Sequence, residues 1–413
     1  RRPPRSTLFP YTTLFRSLLF FTDTDKLYIQ QKFGTQRRRD DKLLFYITNT
    51  DKLYIQWKFS LVGGGGMTNT YSSPMLTNCT FDGNSAEIGG GMKNYYFYTT
   101  SPILTNCIFS GNSALVGGGG MTNDNSSPML TNCTFDENSA ENGGGMENYL
   151  SFPILISCIF NRNSADSGGG MLNYYTSPIL TNCSFSQNTS RFGGGMYNSY
   201  FSLPSLTNCT FNGNSANSGG GIKNDSSFPM IKNCILWDND ADISGNEIHN
   251  TLSTLSISFC DIKGCGGSGS SWDSSLGTDS GGNIDLDPLY INTPDFTRMT
   301  SSAGTTTTVI IANAATDFTL SDVIEVNNDG IARTITNIAS SAITFTPALA
   351  TASVSDTIVH NWGPGATNFV FDLRLQPSSP CIDTGTSTGA PATDILGVER
   401  PQGAEVDMGA YEQ

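Results

Sequence analysis

Cysteine thiols recur along this 413-residue chain at intervals of 25 to 28 residues. Regularly spaced thiols can form disulfides or bind zinc. No pair has the Cys-x-x-Cys spacing of a zinc site, and the two histidines, His249 and His360, lie far apart in sequence. Side chains at equivalent positions of a repeat point the same way, so neighbouring thiols bridge poorly. We therefore expect free buried thiols at Cys79, Cys107, Cys133, Cys158, Cys183, Cys209, Cys234 and Cys260.

Carboxylates recur less regularly than the thiols. Glycosidases and polysaccharide lyases need clustered acids, in lyases with a basic partner. Here the acids alternate with neutral residues and no basic partner recurs, so we expect a solvated acidic face, with no catalytic and no cofactor-binding residue. The position after the repeated phenylalanine is Asp82, Ser110, Asp136, Asn161, Ser186 and Asn212, and the position after the repeated alanine is Glu87, Leu115, Glu141 and Asp166.

A second group of acids lies near the end of the sequence. Four carboxylates there can gather around a cation, and calcium is the metal that such oxygen ligands prefer. The alternative is that they cap turns and pair with Arg374 and Arg400. The weak metal candidates are Asp383, Asp394 and Asp407, with Glu412 beside them.

Tyrosines are concentrated in insertions between a glycine-rich run and a proline-containing run. Such insertions lie on one edge of a repeating coil. Tyrosine rings stack on sugars and are also enriched at protein interfaces. The candidate binding residues are Tyr95, Tyr96, Tyr98, Tyr174 and Tyr175.

The regularly spaced cysteines, and the acids that follow the phenylalanine and the alanine, belong to one repeat, Ser-Pro-x-Leu-Thr-Asn-Cys-x-Phe-x-x-Asn-Ser-Ala-x-x-Gly-Gly-Gly-Met-x-Asn, seen in residues 73–94. Three short apolar runs in each copy, at 74–77, 79–81 and 89–92, are broken by Asn, Gly and Pro, and no helical period occurs. A repeat of this length is typical of a solenoid. The sequence therefore predicts an all-β protein, a single-stranded right-handed parallel β-helix with three strands per coil of about 25 or 26 residues.

The alternation within each run predicts the core of the coil. Asn78 and Asn84 recur at fixed turns, where their amides can hydrogen-bond from coil to coil as asparagine ladders do. The side chains expected to point inward are Leu76, Cys79, Phe81, Ala86 and Met92.

The repeat, over about residues 60–265, resembles the repeats of polymorphic outer membrane proteins. Those repeats combine Gly-Gly-x-(Ile/Leu/Val) with Phe-x-x-Asn, which occurs here as Phe81-Asp82-Gly83-Asn84 and in later copies. Most copies have Met at the aliphatic position of the family motif. The resemblance implies a β-helical protein of the bacterial cell surface or outer membrane.

Residues beyond the repeat resemble the choice-of-anchor Q domain, which follows β-helix repeats in bacterial surface proteins. The ordered motifs are at 283–290, 372–385, 394–401 and 407–412. We divide this part into a linker and the start of the module at 266–293, a small inserted β domain at 294–369, and a capping, anchor-associated module at 370–413. The two parts of the module are expected to pack against the end of the β-helix, because exposed strand edges invite aggregation.

The first residues are interpreted as foreign to the protein. Residues 7–17 are what a common sequencing-library adapter encodes, so residues 1–17 are taken as an adapter-derived artefact. Permitted codons for residues 49–59, read one base later, give the sequence of residues 103–112. We interpret residues 18–59 as a frame-shifted translation of earlier coils, and residues 60–265 as the in-frame β-helix.

The net charge and the hydropathy of the chain limit the classes of partner that we expect it to bind. Residues 60–413 contain 10 basic and 31 acidic residues, a net charge of −21, which repels nucleic acid. No run of about 18 apolar residues occurs, so no transmembrane helix is predicted. We expect a secreted or bacterial cell-surface monomer that acts as a stalk, an adhesin or a glycan-binding module for polysaccharide or protein. The alternative is a polysaccharide lyase or glycoside hydrolase with its groove along the β-helix.

The frame-shift interpretation makes a testable prediction. Deleting residues 1–59 should leave the melting temperature unchanged, because a shifted translation lacks the Asn and Gly turn chemistry of the coils. Restoring the frame should raise it by adding coils to the stack. Thermal unfolding of the three forms measures this, and a clear loss of melting temperature on deletion would contradict the interpretation.

Overall fold

The computed structural model describes residues 64–70, 73–95, 101–294, 296–311, 318–327, 329–354 and 357–413, and the backbone of three strands within 18–55. The chain forms a right-handed parallel β-helix of about eight coils, followed by two small antiparallel sheets. The part of the chain that the structure describes contains no α-helix. The predicted fold class is confirmed.

Each coil contains four strands, so the prediction of three was wrong. The residues expected to form a turn after the phenylalanine include a fourth, two-residue strand, Ser85–Ala86, which pairs in parallel with Ser113–Ala114. One residue in the left-handed region makes the corner before this strand, for example Gly83 with φ 60°. Because a single residue turns the chain, the next strand begins almost at once.

Stacking of the coils produces four parallel sheets, two of which begin each repeat. The Leu sheet contains Met75–Thr77, Ile103–Thr105, Met129–Thr131, Ile154–Ile156, Ile179–Thr181, Ser205–Thr207, Met230–Lys232, Ser256–Ser258 and Thr278–Asp279. The Phe sheet contains Leu18–Asp23, Lys26–Gln31, Leu53–Ile55, Cys79–Asp82, Ile108–Ser110, Thr134–Asp136, Ile159–Asn161, Ser184–Ser186, Thr210–Asn212, Ile235–Trp237 and Asp261–Ile262; its first pair, Leu18–Asp23 with Lys26–Gln31, is antiparallel.

The other two sheets complete the coil. The Ser-Ala sheet contains Ser85–Ala86, Ser113–Ala114, Ser139–Asn142, Ser164–Ser167, Thr189–Phe192, Ser215–Ser218 and Asp240–Ser244. The Met sheet contains Met67–Thr70, Met92–Tyr95, Met121–Asp124, Met146–Tyr149, Met171–Tyr174, Met196–Ser199, Ile222–Asp225 and Ile248–Thr251.

The core is a set of columns in which each side chain rests on its equivalent one coil away. The phenylalanine rings from Phe81 to Phe211 are stacked with centroids 4.6 to 4.7 Å apart and nearly parallel planes. Leu76, Cys79 and Met92 are buried as predicted. The alanine position departs from the prediction: Ala86 is buried, but three equivalents are only half-buried, Ala114, Ala140 and Ala165.

The cysteines among the described residues are all free and buried, which confirms the prediction of unbridged thiols. The thiols of the repeat donate to backbone carbonyls, whereas Cys381 Sγ donates to Asp261 Oδ2 at 3.0 Å. Cys133 Sγ, for example, lies 3.7 Å from the carbonyl of Leu104 in the preceding coil and 3.5 Å from that of Thr131. Burial raises the pKa of the Cys158 and Cys183 thiols well above the usual range. These thiols are therefore protonated and poor nucleophiles.

Asn84 begins the predicted ladder of buried amides. Asn112 shows the pattern: its Oδ1 accepts from the backbone N–H and the Nδ2 of Asn84, at 3.0 and 2.8 Å. Its Nδ2 donates to the carbonyl of Phe81 in the preceding coil and to Oδ1 of Asn138 in the next, at 2.8 and 2.9 Å. The ladder runs through Asn84, Asn112, Asn138, Asn163, Asn188, Asn214 and Asn239.

The second ladder lies in the Met sheet and was not predicted. The residue two positions after the methionine, from Asn69 to Asn250, donates its Nδ2 to the Oδ1 of the next coil at 2.6 to 3.0 Å. Asn78 occupies a turn and hydrogen-bonds to the next coil, as expected. It makes a corner with φ 55°, and it accepts from Asn106 Nδ2 at 3.2 Å.

Glu247 ends the Asn84 ladder. It aligns with Gly221, the third glycine of the preceding coil, because Ile222 pairs with Ile248. Its Oε1 accepts from the backbone N–H of Asn239 at 3.3 Å, and its Oε2 accepts from Asn239 Nδ2. The carboxylate thus receives the two bonds that the amide oxygen of a further asparagine would receive.

Residues 264–284 close the end of the β-helix. Cys265 and Leu276 join the main core, and Trp272 packs against it. Thr278–Asp279 adds the last strand of the Leu sheet.

The two parts of the C-terminal module pair with each other, but they lie on the side of the β-helix. Tyr290–Asn292 and Asp372–Leu375 form an antiparallel pair. They pack with Met408 against Ile235 and Trp237 of the Phe sheet. Ala410 N–H donates to Thr210 Oγ1 at 2.9 Å, one coil earlier. The expected position at the end of the β-helix was therefore wrong.

A six-stranded antiparallel sheet is inserted between these two strands. In sheet order its strands are Phe296–Met299, Ile358–Pro364, Asp322–Val326, Arg333–Ala339, Ala342–Thr346 and Thr308–Ile310. It has its own core, which includes Val309, Ile324, Ile343 and Val359. It contacts the β-helix where His360 Nε2 lies 3.2 Å from Gln187 Nε2.

Strands before residue 64 continue the Phe sheet at the period of the coils. Leu27 pairs with Leu53, and Leu53 pairs with Cys79. The shifted reading of residues 49–59 places a cysteine across the codons of Leu53 and Tyr54, which is the same register. Residues 1–17 lie outside the described residues, and the frame-shift interpretation stays a prediction.

The close packing around the third glycine of each repeat leads to a prediction about stability. A Cβ on Gly145 would lie 2.8 Å from Cδ1 of Phe160, and 2.6 Å from the carbonyl oxygen of Gly170. The ring of Phe160 cannot move away, because Phe135 and Phe185 lie on either side. Gly145→Ala should therefore lower the free energy of unfolding by about 1–3 kcal/mol, measured by denaturant unfolding.

Gly111→Asn is the control for this substitution. No atom lies within 4 Å of a Cβ at Gly111, and its φ of 58° suits asparagine. The equivalent corners already have Glu137 and Arg162 at similar φ values. The control should be near neutral, and equal losses in both variants would contradict the packing argument.

The buried carboxyl of Glu247 leads to a prediction about how the stability of the protein depends on pH. Burial raises its pKa from 4.5 to about 8. Between these values the unfolded chain releases a proton that the folded protein keeps, so stability should fall as the pH rises through this window. The melting temperature should fall between about pH 5 and about pH 8, and Glu247→Gln should reduce that slope. If the melting temperatures of the unmodified protein and of Glu247→Gln depend on pH in the same way, this role of Glu247 is contradicted.

Candidate binding surface

An exposed group of aromatic rings lies at the corner that follows the Met sheet. Asn148 and Asn173 point inward in the second ladder, so the next residues, Tyr149 and Tyr174, point outward. The parallel register puts Tyr149 beside Tyr174. We call Tyr149, Tyr174, Tyr175, Tyr200 and Phe201 the aromatic ridge.

Corner residues supply the rest of the ridge. Tyr175, Tyr200 and Phe201 have φ values of 52°, 51° and 60°, in the left-handed region. The same corner has a positive φ in other coils, at Asn125, Leu150, Ser226 and Leu252. The conformation therefore belongs to the repeat, and the ridge arises because aromatic residues occupy this corner in two successive coils.

The rings of the ridge contact each other across three coils. The centroids of Tyr149 and Tyr174 are 5.5 Å apart, and those of Tyr174 and Tyr200 are 4.4 Å apart. Tyr175 lies 5.0 Å from Tyr174, 5.5 Å from Tyr200 and 6.4 Å from Phe201. Tyr149, Tyr200 and Phe201 are 41%, 49% and 63% exposed. The ridge is thus one continuous surface open to solvent.

Its electrostatics suit a neutral or hydrogen-bonding ligand. Desolvation by the neighbouring rings, with Tyr200 and Tyr175 adding to it, raises the pKa of Tyr174, so its hydroxyl stays a hydrogen-bond donor. Glu147 lies two residues before Tyr149 on the outer face of the Met sheet. Burial, and then Asp124, raises the pKa of its carboxyl to about 7.

The structure brings together two of the five tyrosines that the sequence singled out. Tyr174 and Tyr175 lie in the ridge. Tyr95 lies in the same column as Tyr149, but Asp124 separates them, and Lys93 Nζ lies 5.2 Å from its ring centroid. Tyr96 and Tyr98 lie outside the described residues.

Sequence reasoning missed Tyr149, Tyr200 and Phe201. Tyr149 occupies the third position after Met146, as Tyr174 does after Met171. Counting from each methionine would therefore have found it. Tyr200 occupies the fourth position after Met196, as Tyr175 does after Met171, so the same count would have found it. Phe201 lies one residue further along, and only the three-dimensional corner joins it to the ridge.

Another exposed apolar column runs along the outer face of the Leu sheet. It includes Met75, Ile103, Met129, Ile179 and Met230. This column is aliphatic and lacks the polar tips that tyrosine offers a ligand. The ridge is therefore the stronger candidate for recognition.

The acids proposed as metal ligands cap turns in the C-terminal module. Asp394 Oδ1 accepts from the N–H groups of Leu396 and Val398, at 2.8 and 2.7 Å. Asp407 Oδ1 accepts from the N–H of Asp383 at 2.9 Å. Asp383 Oδ1 in turn accepts from the N–H of Glu405 at 3.2 Å.

Of the two arginines expected to pair with these acids, Arg400 does so, whereas Arg374 pairs with an acid outside the set. Arg400 Nε lies 3.5 Å from Glu412 Oε2, and both side chains are fully buried. Arg374 pairs with Asp372 at 2.5 Å. Within the described ranges no group of three or more His, Cys, Asp or Glu residues is arranged to hold a metal. The geometry supports turn capping, and calcium binding stays an expectation without structural support.

A shallow groove of about 530 Å³ lies on the Ser-Ala sheet. Its lining includes Asp166 and Arg191, and the register of their strands puts them one coil apart. They are the acidic residue and the basic residue among those that line the groove. The other residues that line it are Ala140, Ser164, Ala165, Thr189, Ser190 and Asn217.

Comparison of the chain with protein-family models and with curated proteins gives no match. The likenesses to outer-membrane repeats and to the anchor domain therefore rest on the motifs alone. No helix of the described residues is long and apolar enough to cross a membrane.

Proposed function

We propose that this chain is a non-catalytic binding module of a secreted or bacterial cell-surface protein. The β-helix serves as a rigid stalk, and the aromatic ridge attaches it to an extracellular polysaccharide or protein. The proposed module acts as a monomer and needs no cofactor.

The ridge is the observation that carries this proposal. Five aromatic side chains touch across three coils; four of them are exposed and Tyr174 is half-buried. Large exposed apolar patches on soluble proteins mark interaction sites. Tyrosine rings combine a flat apolar face with a hydroxyl, which suits the apolar face and hydroxyl rim of a sugar.

The motifs support the proposed location. Polymorphic outer membrane repeats and choice-of-anchor Q modules both occur in bacterial surface proteins, and this chain resembles them at the residues given above. The acidic surface favours neither nucleic acid nor anionic lipid.

The test uses a variant without the centre of the ridge. Tyr174→Ala/Tyr200→Ala should weaken binding to glycans that the unmodified chain retains on an array by at least about tenfold, or about 1.4 kcal/mol. Both residues are at the surface, so melting temperature should change little.

Tyr95→Ala is the matched control, because Tyr95 is 38% exposed in the same column but outside the ridge. It should retain binding. Equal binding by all three proteins would overturn the proposal. If the ridge binds an extracellular protein and no glycan, the result supports the proposed function with a protein as the partner.

The groove on the Ser-Ala sheet favours the second candidate function, a polysaccharide lyase or glycoside hydrolase. Asp166 and Arg191 supply one acid and one base to the same groove. A reducing-sugar assay on a polysaccharide panel tests this candidate. If the chain cleaves a polysaccharide and Asp166→Asn abolishes that activity, the result supports this candidate and refutes the non-catalytic proposal.

A further inference from the structure

A small cluster of cations lies beside the groove, at the corner between the Ser-Ala and Met sheets. Arg191 Cζ lies 4.9 Å from the ring centroid of Phe192, and Lys223 Nζ lies 5.0 Å from the same centroid. The two charges are therefore within 9.9 Å of each other. Ser218 links this cluster to His249 on the next coil. Ser218 Oγ lies 3.2 Å from Lys223 Nζ and 2.9 Å from His249 Nδ1.

The cations of this cluster differ in their partners from several others. Arg162, Lys263, Arg333 and Arg400 pair with carboxylates, whereas Lys93 lies over the ring of Tyr95 and Lys232 donates to the carbonyl of Thr388. In the described ranges no carboxylate lies within ion-pair distance of Arg191 or Lys223. Two like charges without an ion pair therefore share one ring on a strongly negative protein.

Each of these cations has one acid nearby, at a distance longer than an ion pair. Asp166 lines the same groove as Arg191, and Asp225 lies close enough to Lys223 to oppose in part the effect of burial on its pKa. Burial remains the larger effect and lowers the pKa of Lys223. A partly buried ammonium without an ion pair gains from an anionic ligand.

We propose that Arg191 and Lys223, with Phe192 between them, bind the acidic groups of an anionic polysaccharide that lies in the groove. Arg191 can hold a carboxylate or sulfate with two parallel hydrogen bonds, and Lys223 supplies a second point charge. Asn217 and Ser190, which also line the groove, offer hydrogen bonds to sugar hydroxyls. Nucleic acid is disfavoured, because two cations cannot offset the net charge of −21 on residues 60–413.

The site uses none of the ridge residues, so the two proposals fail separately. Binding of a neutral glycan through the ridge would leave the proposed function standing even if no anionic polysaccharide bound. Loss of ridge binding in Tyr174→Ala/Tyr200→Ala would leave the cation site untouched.

The experiment measures binding of the full chain to polygalacturonate, dextran sulfate and neutral dextran. Arg191→Gln/Lys223→Gln should weaken binding to the preferred polyanion at least tenfold, and added salt should weaken binding by the unmodified chain. The first two polymers distinguish carboxylate from sulfate. Asp166→Asn, which removes the acid of the groove, should strengthen binding to the same polymer.

Lys263→Gln is the control. Lys263 also lies over a ring, 5.5 Å from the centroid of Trp237, but it is paired with Asp238. It should leave binding unchanged. The proposal is overturned if neither polyanion binds, if neutral dextran binds equally well, if Lys263→Gln weakens binding as much as the double variant, or if an oligonucleotide binds more tightly than either polysaccharide.

Discussion

The buried amide ladder that starts at Asn84 sets the geometry on which the rest of this protein depends. Each amide uses both of its donors, and its oxygen accepts two bonds from the preceding coil. A coil that slipped by one residue would leave several buried polar groups unpaired, at a cost of about 1–3 kcal/mol each. The ladder therefore fixes the register of the coils, and the phenylalanine stack and the thiol column follow from that register.

The same constraint explains the three glycines of the repeat. In a typical coil the first glycine turns the chain at positive φ, as Gly143 does with 59°. A Cβ on the second, Gly144, would meet backbone of the Ser-Ala strand at 2.5 Å, and a Cβ on the third, Gly145, would meet the phenylalanine ring. Glu247 can replace the third glycine only because the next coil has Ile262 where a phenylalanine would stand and Cys265 where the ladder asparagine would stand.

Sequence reasoning predicted what alternation and periodicity encode. Leu76, Cys79, Phe81 and Met92 were identified as core because they recur at fixed spacing. The fourth strand was missed because a two-residue segment, Ser85–Ala86, is too short to show a period. The position of the C-terminal module was missed because it depends on contacts between distant residues, such as Thr210 with Ala410. No local pattern encodes such contacts.

The distribution of covered and open faces shows why both proposed sites lie toward the Met sheet. The C-terminal module covers the outer face of the Phe sheet in the later coils, where Thr210 and Ile235 are buried. The six-stranded sheet contacts the corner at Gln187. Aromatic and cationic side chains occur at the two corners of the Met sheet, the ridge at one and Arg191 with Lys223 at the other. Tyr197 lies between them on the outer face of the same sheet, 6.3 Å from Phe192 by ring centroids. A ligand that crosses the sheet could therefore meet sugar-stacking rings and anion-binding groups on one rigid surface.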